Sequence, residues 1–421
     1  MSLRAGMMDR ETLLFISPRF LFPVDSGGKI RTTQILRGLK GGRFKIRLLS
    51  PGSKALAHQY AAELDSICDE FAFWDAPPPA LHTLRRLRHI VSRLPIPIAT
   101  DYLPAAARLV REELARPVAV AVFDFLHAAV LAPRMLSRPT VLFTHNVEAE
   151  IFARHSSLAS GALRRQVWRS QHRKMVAFES ASLRRFDVVV AVSQRDADKF
   201  VADYACAPPA VSPTGVDLDF FAYAPPTRNR DVAFCGSMDW LANRDGVQFM
   251  MDQVWPSIVR QVPDARMTII GRAPPASLID AARQRNLAWT FTGFVDDVRP
   301  HLSGAAVSVV PLRIGGGTRL KVFESMAMGP AVVSTQIGVE GLPVVSGTHC
   351  LIADDAEAIA NATVRLLRDQ EERERLSRAA RDYVDRNFGF AVAARVFERA
   401  CLLAIEKGRV SQGAAAPLLS T

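Results

Sequence analysis

Short runs of aliphatic and β-branched residues recur along this chain, each followed by a longer stretch with apolar residues at helical spacing. TLLFIS precedes KIRTTQILRGL, KIRLLS precedes LAHQYAAEL, VAVAVFD precedes LHAAVLA, and TVLFTH and DVVVAVS continue the series. This alternation builds a parallel sheet with crossover helices on both faces, because parallel strands covered on both sides need continuous apolar runs. The pattern breaks at residues 205–230, where Pro208-Pro209 and Pro225-Pro226 flank the segment Pro213 to Asp217, and it restarts at DVAFCG, RMTIIG, WTFTGF, AAVSVVP and AVVST. The sequence therefore predicts an α/β protein of two doubly wound, Rossmann-like domains facing each other across a cleft, followed by a C-terminal helical segment.

With 421 residues, 49% of them apolar, there is material for two cores. The expected boundaries are a first domain at 1–207, a linker at 208–230, a second domain at 231–388, a helix at 389–407 packing back on the first domain, and a disordered tail at 408–421. Five scattered cysteines, Cys68, Cys206, Cys235, Cys350 and Cys401, form no metal-knuckle or redox spacing and suit a reducing, cytoplasmic compartment. The longest apolar stretch, Pro117 to Ala132, is interrupted by Asp124 and His127 and is shorter than the ~20 residues that span a bilayer. Charge is uneven: residues 1–223 hold 30 Lys and Arg against 21 Asp and Glu, and residues 224–421 hold 23 against 21. An anionic surface or substrate facing the first half fits this asymmetry; no nucleic-acid-binding motif accompanies it, so no nucleic-acid partner is expected.

The segment most suited to chemistry is Val309 to Thr335. A strand ends at Pro311, Gly315, Gly316 and Gly317 turn the chain, and a helix begins whose Leu320, Val322, Phe323, Met326 and Ala327 form a buried side. Lys321, Glu324 and Ser325 fall on the opposite face. Backbone N–H groups at such a helix start, with Arg319 and Lys321 beside them, make an anion site that glycine lets a phosphate approach. The alternative is a plain turn followed by a solvated Lys321 and Glu324 pair. A second glycine turn, Gly27-Gly28 with Lys29 and Arg31 after it, is open to being either a ligand loop or a simple helix start; it matches no dinucleotide or Walker motif. His145, at the end of the strand TVLFTH, is placed to meet a substrate if it points into a cleft, or else is merely packed. No metal-ligand spacing is present; Asp217-Leu218-Asp219 matches an Asp-x-Asp pattern only formally. His82 to Arg93 interleaves Arg85, Arg86, Arg88 and Arg93 with Leu84, Leu87, Ile90 and Val91, a pattern of a basic interfacial helix or of an ordinary surface helix.

The order of the first glycine loop, HNVE with His145, DVVVAVS, PTGVDLDFF, FCGSMDWLAN, TIIG, FTGFVDDV and GGGTRLKVFESMAMGPAVVST resembles glycosyltransferase family 4, of the GT-B fold, and especially its exopolysaccharide-assembly branch. The resemblance implies a metal-independent, retaining glycosyltransferase without a cofactor. It would move a sugar from a nucleoside-diphosphate sugar, bound by the second domain, to a lipid-linked or polysaccharide acceptor on the first. Such an enzyme would serve exopolysaccharide or cell-surface glycan synthesis, with possible peripheral contact at the inner face of the cytoplasmic membrane. By the same resemblance His145 is catalytic, Arg319 and Lys321 face the diphosphate, Gly27 and Gly28 close over it, Glu324 contacts the ribose, and Phe294 and Val295 hold the base. Gly236, Arg244, Gly316, Gly317 and Thr318 complete the donor site. Two positions depart from the family: Gly316 stands where many members have a glutamate eight residues before Glu324, and the Arg and Lys pair after the first strand of the second domain is absent. Two other readings remain, a nucleotide-sugar epimerase of the same architecture and a non-catalytic sugar-nucleotide-binding protein.

Overall fold

The computed structural model describes residues 10–76, 86, 89, 92–158, 161–213, 215–314 and 320–414. It divides into two compact units, one of Met1–Pro213 with Ala393–Thr421 and one of Thr214–Val392. In the first unit, seven parallel strands run in the order β3-β2-β1-β4-β5-β6-β7. They are β1 (Thr12–Ile16), β2 (Lys45–Gly52), β3 (Glu70–Asp75), β4 (Val120–Asp124), β5 (Thr140–Phe143), β6 (Val188–Ala191) and β7 (Ala210–Val211). The period-two geometry of a strand sends alternate residues to opposite faces. Leu14, Ile16, Ala121, Phe123 and Leu142 enter one core, and Leu13, Phe15, Val120, Val122, Val141 and Phe143 the other. The second core is completed by Phe397, Ala400, Cys401 and Ala404 of the helix Phe390–Ala414.

In the second unit, six parallel strands run in the order β10-β9-β8-β11-β12-β13. They are β8 (Asp231–Cys235), β9 (Arg266–Ile270), β10 (Trp289–Phe291), β11 (Val307–Val310), β12 (Ala331–Ser334) and β13 (Leu351–Ile352). Val232, Phe234, Met267, Ile269, Val307, Val309 and Val333 share its main core with the fully buried Trp255.

Two boundaries differ from the sequence expectation. Residues 208–230 are not a free linker: Ala210–Val211 adds the edge strand β7 beside β6, and Val216 bridges to Gly389 within the second unit. Proline content misled here, since Pro208 and Pro209 precede the strand and cost it no hydrogen bond. The first part of the expected disordered tail, 408–414, is instead helical, because the last helix continues to Ala414; residues 415–421 lie outside the described residues. Lys407 anchors that extension by donating from Nζ to the Asp187 carbonyl at 2.9 Å.

Candidate functional site

In a doubly wound sheet, loops leaving the carboxyl ends of the two strands that flank the reversal in strand order diverge and leave a crevice. The reversal lies between β1 and β4 in the first unit and between β8 and β11 in the second. Each unit's chemistry is assembled at its own switch point.

In the second unit, the chain after β8 passes very close to that after β9. The Gly236 N–H donates to the Ile270 carbonyl at 2.8 Å, and a Cβ at Gly271, whose φ is +148°, would stand 2.2 Å from the Gly236 carbonyl oxygen. A Cβ at Gly236 would in turn lie 2.7 Å from Asn243 Nδ2 and 2.8 Å from Lys321 Nζ, so a larger residue here would displace the ends of these two side chains. Asn243 is buried and fixed at both ends: Nδ2 donates to the Ser237 carbonyl at 2.7 Å, and Oδ1 accepts from Lys321 Nζ at 2.6 Å. The Lys321 ammonium also lies 4.9 Å from the Phe234 ring centroid and 5.9 Å from that of the partly exposed Trp240.

Lys321 sits in the first turn of the helix Leu320–Met328, and Glu324 follows one turn later. Burial pushes the Glu324 carboxyl up to about 7 despite the opposing charge of Lys321. The same surroundings push the Cys235 thiol up to about 12, through burial and then the Glu324 charge. Val322, Phe323, Met326 and Ala327 are buried as the helical spacing requires. Ser325 is not on the exposed face with Lys321 and Glu324: it is buried, because Ser308 on β11 offers its hydroxyl a partner at 2.9 Å. Arg244 is exposed on the helix Leu241–Phe249. Phe294 is 73% exposed, while Val295 packs with Cys235 on the cluster around Leu302 and Met328. Arg272, which sequence reasoning passed over, adds a cation at the end of β9; its Nε donates to Ser237 Oγ at 3.0 Å and lies 3.2 Å from Asp239. Gly316, Gly317, Thr318 and Arg319 lie outside the described residues, as does most of the segment His82 to Arg93.

In the first unit, the helix Gly27–Leu39 opens at the glycine pair. A Cβ on Gly27 would meet nothing, whereas one on Gly28 would stand 2.5 Å from Phe125 Cζ. Of the two readings left open for His145, the structure shows the packed one: it is 3% exposed and does not point into open space. Its Nε2 donates to Asp124 Oδ1 at 2.7 Å, and Arg31 donates to its Nδ1 at 2.8 Å. A guanidinium only donates, so Nδ1 accepts and the ring is the neutral Nε2–H tautomer. Burial pushes the imidazole down to about 4, with Arg31 adding to the effect and Asp124 opposing it. Such a ring takes up no second proton near neutrality and stays uncharged. The strand end brought His145 out of the sheet, but Arg31 from the first helix, Asp124 from β4 and the Phe125 ring close over it.

The imidazole suited to proton transfer is His127, two residues beyond Phe125, which the sequence reading treated only as an interruption of an apolar run. Its Nδ1 donates to Asp101 Oδ2 at 2.6 Å, its Nε2 stands 4.0 Å from Glu148 Oε2, and its side chain keeps 13% exposure. Burial disfavours its charge, yet Asp101 and Glu148 outweigh that and hold its pKa above the usual histidine value.

Comparisons with known proteins agree with this architecture. The family model described as "Glycosyltransferase Family 4" matches residues 26–220, and that described as "Glycosyl transferases group 1" matches residues 229–369. A phosphatidyl-myo-inositol mannosyltransferase of Mycolicibacterium smegmatis is 28% identical over 193 residues, covering 44% of this chain and 49% of the relative. An uncharacterized 44.6 kDa protein in the cps region of Klebsiella pneumoniae is 24% identical over 38% of this chain and 43% of its own length. The chain thus spans about half the length of the curated relatives it matches. Among solved structures, Anabaena Alr3699/HepE in complex with UDP and glucose superposes with a TM-score of 0.65 at 13% identity, over 92% of this chain and 99% of that one. A glycosyltransferase from Rickettsia africae ESF-5 gives 0.64 at 14% identity, over 94% and 99%. At that identity the structural likeness establishes the GT-B fold, and the two family models, which between them span most of both units, establish the lineage: the chain belongs to glycosyltransferase family 4.

Proposed function

We propose that this protein transfers a sugar from a nucleoside-diphosphate sugar to a lipid-linked or polysaccharide acceptor, with retention of configuration and without a bound metal, in exopolysaccharide or cell-surface glycan synthesis. The observation that carries this reading is the Lys321 ammonium, held by Asn243 over Gly236 at the switch point of the second unit, with Glu324 one turn behind it. As the bond to the sugar breaks, negative charge grows on the diphosphate oxygens; a preorganised cation and the N–H groups of a helix start stabilise that charge without reorganisation. Glu324 would accept hydrogen bonds from the ribose hydroxyls. His127 would meet the transferred sugar, in place of His145. The mannosyltransferase relatives and the UDP complex of the Anabaena protein support a nucleotide-sugar donor but differ in chemistry, so the donor panel must include both guanosine and uridine sugars.

A thermal-shift screen against UDP, GDP, UDP-glucose and GDP-mannose, in EDTA, is the first test. A donor at about 100 times its Kd should stabilise the protein by about 2.7 kcal/mol. The shift should be larger at pH 8 than at pH 6, because the diester diphosphate of a nucleotide sugar keeps its charge over this range while Glu324, near 7, ionises. Transfer to a lipid-linked acceptor extract, followed with radiolabelled donor, then separates an enzyme from a mere nucleotide-binding protein. No shift with any donor, or a strict requirement for Mg²⁺, would contradict the proposal.

Peripheral contact with an anionic membrane belongs to the same reading. Residues 151–178 contain six Lys and Arg and no Asp or Glu, and on the helix Ala162–Arg185 the neighbouring Leu163 and Val167 are 81% and 40% exposed. Arginines beside exposed aliphatic side chains suit the headgroup boundary of anionic lipid. The protein should sediment with phosphatidylglycerol vesicles at low salt and not with phosphatidylcholine vesicles; equal behaviour with both would remove this part. No helix among the described residues is long and apolar enough to cross a membrane.

A further inference from the structure

We propose that His145 is a positioning residue: clamped between Arg31 and Asp124 by a hydrogen bond at each ring nitrogen, it holds the Phe125 elbow from which His127 is presented. The inference rests on the reading of the switch point of the first unit as a substrate site, and it assigns His145 a task that does not involve touching substrate.

The elbow is unusual in its backbone. Phe125 has φ +62°, in the left-handed region that non-glycine residues avoid, at the point where β4 turns into the short helix Phe125–Ala128 carrying His127. Something must hold it there, and three groups contact the ring. The His145 imidazole is stacked on the Phe125 ring, 3.8 Å between centroids and 9° from parallel. The Arg19 guanidinium lies 5.4 Å from the Phe125 centroid, and the backbone of Gly28 approaches the ring edge so closely that a Cβ would overlap it.

The imidazole is itself immobilised. Asp124 accepts from Ser17 Oγ at 3.1 Å, Thr32 Oγ1 at 3.0 Å and His145 Nε2 at 2.7 Å, so three segments of the first unit converge on one carboxylate. Arg31 occupies the other ring nitrogen, and a proton there would face the guanidinium directly. The charged groups acting on His145 are Asp124, Arg31 and Arg19; those acting on His127 are Asp101, Glu148 and Arg19; Arg31 also feels Asp196. A histidine with both nitrogens committed is a rigid plate of fixed tautomer. If the plate is lost, Phe125 is free to leave its left-handed conformation, and the direction of the chain into His127 changes with it.

The test is proton NMR of the full chain with ¹³C-labelled histidine, His127 and His145 being assigned by His127→Gln and His145→Gln. In the wild type His127 should titrate above about 6.5 and His145 should stay flat between about pH 5.5 and 8. His145→Leu removes the plate; Gly28→Ala pushes on the Phe125 ring at Cζ, while its Cβ would stand 3.7 Å from His145 Nδ1, an ordinary contact that does not displace the Arg31–His145–Asp124 hydrogen bonds. Both should shift the His127 midpoint by about half a unit or more, and lower kcat by about tenfold or more with little change in KM. His145→Gln, which still donates and accepts, should restore both. In a Phe125→Gly background the Gly28→Ala substitution should add nothing further, since the clash it exploits is gone. The inference is overturned if His127 titrates identically in folded His145→Leu and Gly28→Ala, or if His145 itself titrates near neutrality. Should His145→Leu fail to fold, Gly28→Ala provides the same readout. The NMR measurement needs no donor or acceptor, so failure of the proposed transfer reaction and failure of this inference are distinguishable.

Discussion

Substitution of Lys321 by methionine is expected to lower kcat by about 10²–10³-fold, the cost of losing one preorganised group that stabilises transition-state charge. Methionine keeps roughly the length of the lysine stem and removes the ammonium, with its place over the Phe234 and Trp240 rings, so the change is chiefly a loss of charge. The local structure should survive, because Asn243 keeps its bond to the Ser237 carbonyl and loses only the donor at Oδ1, a change of about 1 kcal/mol. A second signature accompanies the first. Lys321 is the charge that opposes the upward push of burial on Glu324, so in its absence the carboxyl should titrate higher still and the rise of donor affinity with pH should move to more alkaline values. Initial rates at saturating donor, together with donor binding between pH 6 and 9, measure both effects. A Lys321→Met protein with wild-type kcat would show that the cation binds ground state and transition state alike, or neither, and the electrostatic account of the leaving group would fail.

The sheets were readable in the sequence because strands covered on both faces must be apolar at consecutive positions, and TLLFI, VAVFD, VVVA, VSVV and AVVS are wholly or almost wholly buried. Lys321 and Glu324 were readable for a related reason: both lie on one helix, where spacing alone puts them within a turn of each other. Asn243, which holds Lys321, was not readable, since it comes from a different helix 78 residues earlier and meets Lys321 only through the fold. The same limit explains His145. A strand end tells where a side chain leaves the sheet and not what covers it, and the cover here, Arg31, is 114 residues away. His127 did leave a signal. The apolar stretch Pro117 to Ala132 contains a carboxylate and an imidazole three residues apart at the end of its strand, and polar residues at the mouth of a buried strand of a doubly wound sheet stand where ligands bind. Reading that stretch for membrane-spanning length hid them.

The largest stability effect is expected at Asp124. Replacement by alanine should destabilise the first unit by about 3–5 kcal/mol, since each buried donor left without an acceptor costs about 1–3 kcal/mol, and that is enough to unfold a marginal domain. The carboxylate is wholly buried and accepts from Ser17, Thr32 and His145, so its removal leaves three donors without an acceptor in a place water does not reach. It also takes from Arg31, itself 3% exposed, the charge that most opposes its burial; burial already pulls that guanidinium down to about 10, and Asp124 is the largest force raising it. Asp124→Asn should cost roughly half as much, since Oδ1 still accepts from His145 and the two hydroxyls can turn to accept from Nδ2, leaving the uncompensated guanidinium as the main loss. His145 gives the wild type an acid limb of its own. Its pKa of about 4 in the folded protein lies below the ordinary 6.5, so its contribution is complete above pH 6.5 and is lost as pH falls toward 4, on the order of 3 kcal/mol over that window. Urea unfolding followed by the fluorescence of Trp74 and Trp168, both in the first unit, measures these differences. If Asp124→Ala matched the wild type in stability at pH 7.5, Arg31 would have to be compensated by Asp196, and the carboxylate could not be the anchor of the switch point.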